Sequence, residues 1–116
     1  MSKVNWQALT EVDQLAELKK QSFDQPVLIF KHSTSCPISA MALSSLEREW
    51  NPDKEAETAI FYLDLLRYRP VSNAVAEKFS VTHQSPQIII LKDGEAVYDE
   101  SHMGISYDSI QSVVHA

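Results

Sequence analysis

Three short apolar runs, separated by segments of helical periodicity, constrain this chain more than any other feature. Val27-Leu28-Ile29-Phe30 is apolar without alternation and carries two β-branched residues, the pattern of a strand covered on both faces. Ala59-Ile60-Phe61-Tyr62-Leu63-Asp64 reads as a second strand, and Gln87 to Leu91 as a third. Between the first two, Ile38, Met41, Ala42, Leu46 and Trp50 recur at three- and four-residue spacings, which predicts a helix over 37–49 with that stripe inward. A helix of that length joining two strands makes a parallel, right-handed crossover.

The remaining segments complete a sandwich. Thr10 is a candidate N-cap for a helix over 11–22 with Val12, Leu15, Ala16 and Phe23 inward, ended by Asp24-Gln25-Pro26. Val71, Ala74, Val75 and Phe79 mark a shorter helix after Arg69-Pro70. Asp93-Gly94 is a two-residue hairpin signal, so 95–99 returns antiparallel to the third strand. Gly104-Ile105-Ser106 interrupts the chain before a last helix over 107–115, with Ile110, Val113 and Val114 inward. The order α, β, α, β, α, β, β, α predicts an α/β sandwich, a four-stranded mixed sheet with helices on both faces, as one domain spanning 1–116. At 116 residues and 44% hydrophobic content the chain can bury about two-thirds of its unfolded surface without staples. The antiparallel hairpin and the lack of a glycine-rich turn after the first strand argue against dinucleotide binding.

Charge and hydropathy exclude further classes. Ten basic against sixteen acidic residues give a net charge of -6 with no Lys/Arg cluster, so a nucleic-acid partner lacks its main attractive force. The apolar runs are too short to span a bilayer, and Met1 to Trp6 has no apolar signal core, which predicts a cytoplasmic protein with no membrane partner. His32, His83, His102 and His115 show no ligand spacing, and one cysteine excludes a multi-thiolate site, so no metal is expected.

That cysteine is the remaining question. Cys36 falls in the loop after the first strand, at the cap of the following helix, with Pro37 in the first turn where a proline is best tolerated. Unpaired amides and the helix dipole favour an anion there, and a thiolate is such an anion. Thr34, Ser35, Pro37 and Ser39 are small and mostly polar, which favours partial exposure of the sulfur. Ser39, one turn on, reads either as a hydroxyl donor to that sulfur or as an exposed helix residue. Both a reactive thiol and a small structural cysteine fit these residues. Lys31, His32 and His83 lie near the same edge, and Arg67, Tyr68 and Arg69 form the best cationic patch, either attractive to an anionic thiol or simply solvated. Ser106 caps the last helix, whose start reads as an ordinary turn or as a carboxylate contact.

The element order, Cys36-Pro37-Ile38-Ser39 and Ser85-Pro86 together resemble the thioredoxin-like superfamily, whose dithiol members carry a second cysteine where this chain has Ser39. Phe30 to Ser39, with the Ser85-Pro86 region, more closely resembles the monothiol bacilliredoxins of the bacillithiol system. That resemblance implies a monothiol oxidoreductase: Cys36 takes bacillithiol or a related low-molecular-weight thiol from a protein mixed disulfide, and a second small thiol regenerates it. It implies no bound cofactor, a small thiol as co-substrate and protein mixed disulfides as partners. It also implies a cis-Pro86 wall, backbone contacts to substrate from Ser85, and Pro37 shaping the helix start. The alternative is a non-catalytic protein of the same fold that binds thiols, senses redox state or mediates an interaction.

Overall fold

The computed structural model describes residues 4–116; Met1 to Lys3, part of the segment read for a leader, lie outside the described residues. The elements are β1 (Gln7–Ala8), α1 (Gln14–Gln21), β2 (Val27–His32), α2 (Pro37–Glu49), β3 (Ala59–Asp64), α3 (Arg69–Lys78), β4 (Gln87–Lys92), β5 (Glu95–Ser101), a 3₁₀ turn (His102–Gly104) and α4 (Tyr107–Val114). The sheet order is β1-β3-β2-β4-β5. β2 runs parallel to β3 and antiparallel to β4, and β4 runs antiparallel to β5, so the strand directions of the crossover and the hairpin are as expected.

Among the described residues the sheet has five strands rather than four. β1 is two exposed residues, Gln7 and Ala8, paired parallel to Phe61 and Tyr62. No hydropathy period exists over two residues; the strand forms because Leu9 is buried and its N–H donates to the Tyr62 carbonyl at 2.9 Å.

Every residue of β2 is buried, the burial on both faces that its apolar run predicts. Side-chain alternation divides the core. Val27 and Ile29 join Leu15, Leu18, Val71, Val75 and Ile89 beneath α1 and α3, whereas Leu28 and Phe30 join Leu46, Trp50, Ile88 and Ile110 beneath α2 and α4.

Two helices differ from expectation. α1 starts at Gln14, not residue 11, because the Gln14 side chain reaches back and accepts the Thr10 and Glu11 N–H groups at 2.8 and 2.9 Å. An acceptor inside the helix thus replaces the expected Thr10 cap. Leu15 and Leu18 supply the inward face, while Val12, Ala16 and Phe23 are exposed. α2 has the expected bounds but is rotated. Ser39, Leu46 and Trp50 are buried with Leu43 packed beside them, and Ile38 and Met41 face outward. The hairpin carries positive φ at Asp93 (53°) and Gly94 (83°), as a tight primed turn requires, and β5 extends two residues further than read. Ser106 caps α4 by accepting the Ser109 N–H.

Candidate active site

β2 ends in two polar residues, Lys31 and His32, and the chain then turns through Ser33, Thr34 and Ser35 to reach Cys36. The Cys36 N–H donates to the Ser33 carbonyl at 3.1 Å, closing the turn, and the Cys36 carbonyl accepts the Ala40 N–H at 3.1 Å as the first helical bond. Cys36 is therefore the N-cap of α2, in extended conformation, with Pro37 following as the first helical residue. Its side chain makes no capping hydrogen bond, so the sulfur stays available to an outside group. Cys36 is a free, half-buried thiol, flanked by exposed Thr34, Ser35 and Pro37. Small hydroxyl residues keep apolar cover off it.

The Ser85–Pro86 peptide bond is cis. Pro86 is buried and Ser85 half-buried, immediately before β4. Lys31 pairs with Gln87 across the sheet, so the residue after Pro86 lies beside the end of the strand that leads to Cys36. The Pro86 carbonyl also accepts the His102 N–H at 3.1 Å, tying the 3₁₀ turn to the same edge.

Ser39 is neither the sulfur's donor nor an exposed helix residue. It is fully buried, its Oγ accepts the Ser33 N–H at 3.0 Å, and it lies 2.7 Å from His32 Nδ1. The rotation of α2 turns this side chain toward the end of the sheet, where β2 has presented His32. Burial pushes the His32 pKa down against an opposing pull from Asp64 and Glu47. Its ring stands 6.0 Å from that of Phe30 and 5.5 Å from that of Tyr62.

Lys31 and His32 point to opposite faces, as alternation requires, yet both are buried. Lys31 Nζ donates to the Ser72 carbonyl at 3.3 Å and lies 3.2 Å from His83 Nδ1. Burial lowers the Lys31 pKa to about 8. His83 is exposed; partial desolvation, then the charges of Lys31 and Arg69, depress its pKa. Arg67 lies over the Tyr68 ring, 5.4 Å from its centroid, and its N–H donates to Asp64 at 3.2 Å. Residue type hid the buried roles of Lys31, His32 and Ser39; for the two strand residues the available signal was that a strand covered on both faces buries its polar end residues too. Among the described residues no group of three or more His, Cys, Asp or Glu side chains is placed to hold a metal ion, and no helix is long and apolar enough to cross a membrane.

Chemically, the arrangement offers one accessible sulfur and no second cysteine in the sequence. It can enter a mixed disulfide and cannot close an internal one. The family described as monothiol bacilliredoxin BrxC matches residues 7–110. Among solved structures, one described as having a thioredoxin fold is 28% identical with a TM-score of 0.77, covering 94% of this chain and 92% of its own. A thioredoxin from Malassezia sympodialis is 15% identical (TM-score 0.74, 99% and 92% covered). Mitochondrial thioredoxin 3 from Saccharomyces cerevisiae is 17% identical (TM-score 0.70, 95% and 93% covered). These last two likenesses concern the fold alone.

Proposed function

The chain belongs to the monothiol bacilliredoxin family, and from that premise we propose that Cys36 is the nucleophile that removes bacillithiol from protein mixed disulfides. The Cys36 thiolate attacks the sulfur of the small thiol, a new S–S bond forms, and the protein thiolate leaves with the electron pair of the broken bond. A second small-thiol anion then attacks the Cys36 mixed disulfide, giving back the Cys36 thiolate and a low-molecular-weight disulfide. Electrons come from that external thiol, because Ser39 stands where a resolving cysteine would act.

One observation carries this reading: the protein's only thiol is a half-buried N-cap whose side chain makes no capping hydrogen bond, at the strand end bordered by cis-Pro86. In this reading Thr34, Ser35 and Pro37 keep the sulfur accessible, and Ser85 with Pro86 lines the extended substrate. The chain works as a single cytoplasmic domain on protein mixed disulfides and small thiols, rather than on nucleic acid or membrane.

The test offers a bacillithiolated protein to the wild type and to Cys36→Ser, with mass spectrometry following both the released thiol and the adduct on the enzyme. Fast release with bacillithiol found on Cys36 supports the reading. Equal release by the two proteins overturns it, and stoichiometric capture without faster turnover in excess bacillithiol assigns the protein to thiol sensing instead. Glutathione and coenzyme A mixed disulfides in parallel fix the preferred small thiol.

A further inference from the structure

We propose that Ser39 and His32 are positioning residues that fix the loop carrying Cys36, an inference that rests on Cys36 being the reacting group. Four hydrogen-bond links run in series from the sheet to the thiol. His32 Nδ1 lies 2.7 Å from Ser39 Oγ; Ser39 Oγ accepts the Ser33 N–H at 3.0 Å; the Ser33 carbonyl accepts the Cys36 N–H at 3.1 Å; the Cys36 carbonyl accepts the Ala40 N–H at 3.1 Å. Ser39 thus reaches back over six residues and staples the far end of the active loop to the first turn of α2. Without it the buried Ser33 N–H loses its acceptor, and the loop loses the bond that sets its starting point.

A hydroxyl has one hydrogen and two lone pairs. Having accepted the Ser33 N–H, Ser39 completes its bonding by donating to His32 Nδ1, which requires a neutral imidazole with its proton on Nε2. The surroundings of His32 support the neutral ring that this donation needs: the rings of Phe30 and Tyr62 flank it, and burial outweighs the attraction of Asp64 on β3 and Glu47 on α2 for the imidazolium. Protonation at Nδ1 would turn the acceptor into a donor, leaving the Ser39 hydrogen without its partner. This accounts for a serine at position 39. A thiol there is a weaker donor and acceptor, so it would resolve a mixed disulfide at the expense of the staple. The chain has loop fixation and leaves resolution to an external thiol.

The test compares Ser39→Ala, His32→Leu and His32→Asn with the wild type, because asparagine can place an acceptor oxygen near the position of Nδ1. Amide hydrogen exchange at Ser33 and Cys36 is read alongside the rate of bacillithiol transfer to Cys36, each across pH 5 to 8. Losing one such bond speeds exchange at both amides and slows transfer about tenfold in Ser39→Ala and His32→Leu. His32→Asn stays close to wild type and lacks the additional acid-side loss, beyond the pH dependence that all four proteins share, that imidazole protonation causes in the wild type. Unchanged protection of Ser33 and Cys36 in Ser39→Ala overturns the proposal, as does His32→Asn behaving like His32→Leu. If Ser39→Ala does not fold, the two His32 variants decide. A wild type that shows no transfer counts against the oxidoreductase reading alone, since amide exchange still reports the staple.

Discussion

Glu55 and Ser39 are both buried polar side chains, the first beyond the C-terminal end of α2 and the second within its first turn, and they hold different things. Glu55, just 3% exposed, accepts from Tyr107 Oη at 2.5 Å and from Gln111 Nε2 at 3.4 Å, and meets His115 Nε2 at 2.7 Å. All three partners are side chains on or just after α4, so Glu55 fastens a helix to the loop that follows α2. Ser39 instead binds the backbone of the loop that bears the thiol. Failure at Glu55 loosens packing far from the sulfur, whereas failure at Ser39 moves the sulfur itself. A buried polar group therefore reveals its role through what its partner is attached to, not through its own burial.

Four measurements break or sharpen that contrast. The largest effect is expected at Cys36→Ser, in which release of bacillithiolated substrate drops to the uncatalysed background by mass spectrometry while the melting temperature stays near wild type. Next is Lys31, which touches neither cluster. Its pKa stands near 10.5 in the unfolded chain and about 8 in the native protein. Between those values the unfolded chain holds a proton that the native state has released, so the Lys31 contribution to stability rises with pH across that window. Below pH 8 both states are protonated and the native one carries the full cost of the buried charge. The stability of the wild type relative to Lys31→Met, from denaturant unfolding, should rise by up to about 3 kcal/mol between pH 8 and 10.5. A flat difference refutes the assignment.

Glu55→Ala should cost about 2 kcal/mol, mostly through the lost Tyr107 bond, because the half-exposed His115 pair is screened. Calorimetry should show a melting temperature lower by roughly 10 °C, with the alkylation rate of Cys36 unchanged; a slowed alkylation would erase the distinction between the clusters. The smallest effect is expected at Ser22→Ala. Ser22 Oγ accepts the buried Gly94 N–H at 2.8 Å, pinning the hairpin to the end of α1. Its loss should cost about 1 kcal/mol in a denaturant melt and leave thiol transfer untouched.

Legibility in the sequence followed the kind of force involved. β2, β3 and β4 were readable because continuous apolar runs of that length have few other uses, and the Asp93-Gly94 turn because only certain residues accept positive φ. The crossover and the place of Cys36 follow from those elements. What stayed hidden depended on partners distant in the chain. β1 exists through its pairing with Phe61 and Tyr62. The start of α1 depends on a glutamine reaching backward. The inward face of α2 includes Ser39, whose partners His32 and Ser33 lie outside the helix. A serine on a helix next to a candidate nucleophile invites a bond between the two, and only the three-dimensional rotation of α2 shows the hydroxyl turned toward the sheet.

The outer strands carry a consequence for crowded solutions. β1 presents only two residues on one side of the sheet, too few to template another backbone. β5 on the other side is seven residues long and carries Glu95, Asp99 and Glu100, so a second molecule zipping onto it would crowd carboxylate against carboxylate. Brevity guards one flank and electrostatic repulsion the other, which leaves backbone-mediated polymerisation discouraged from both sides.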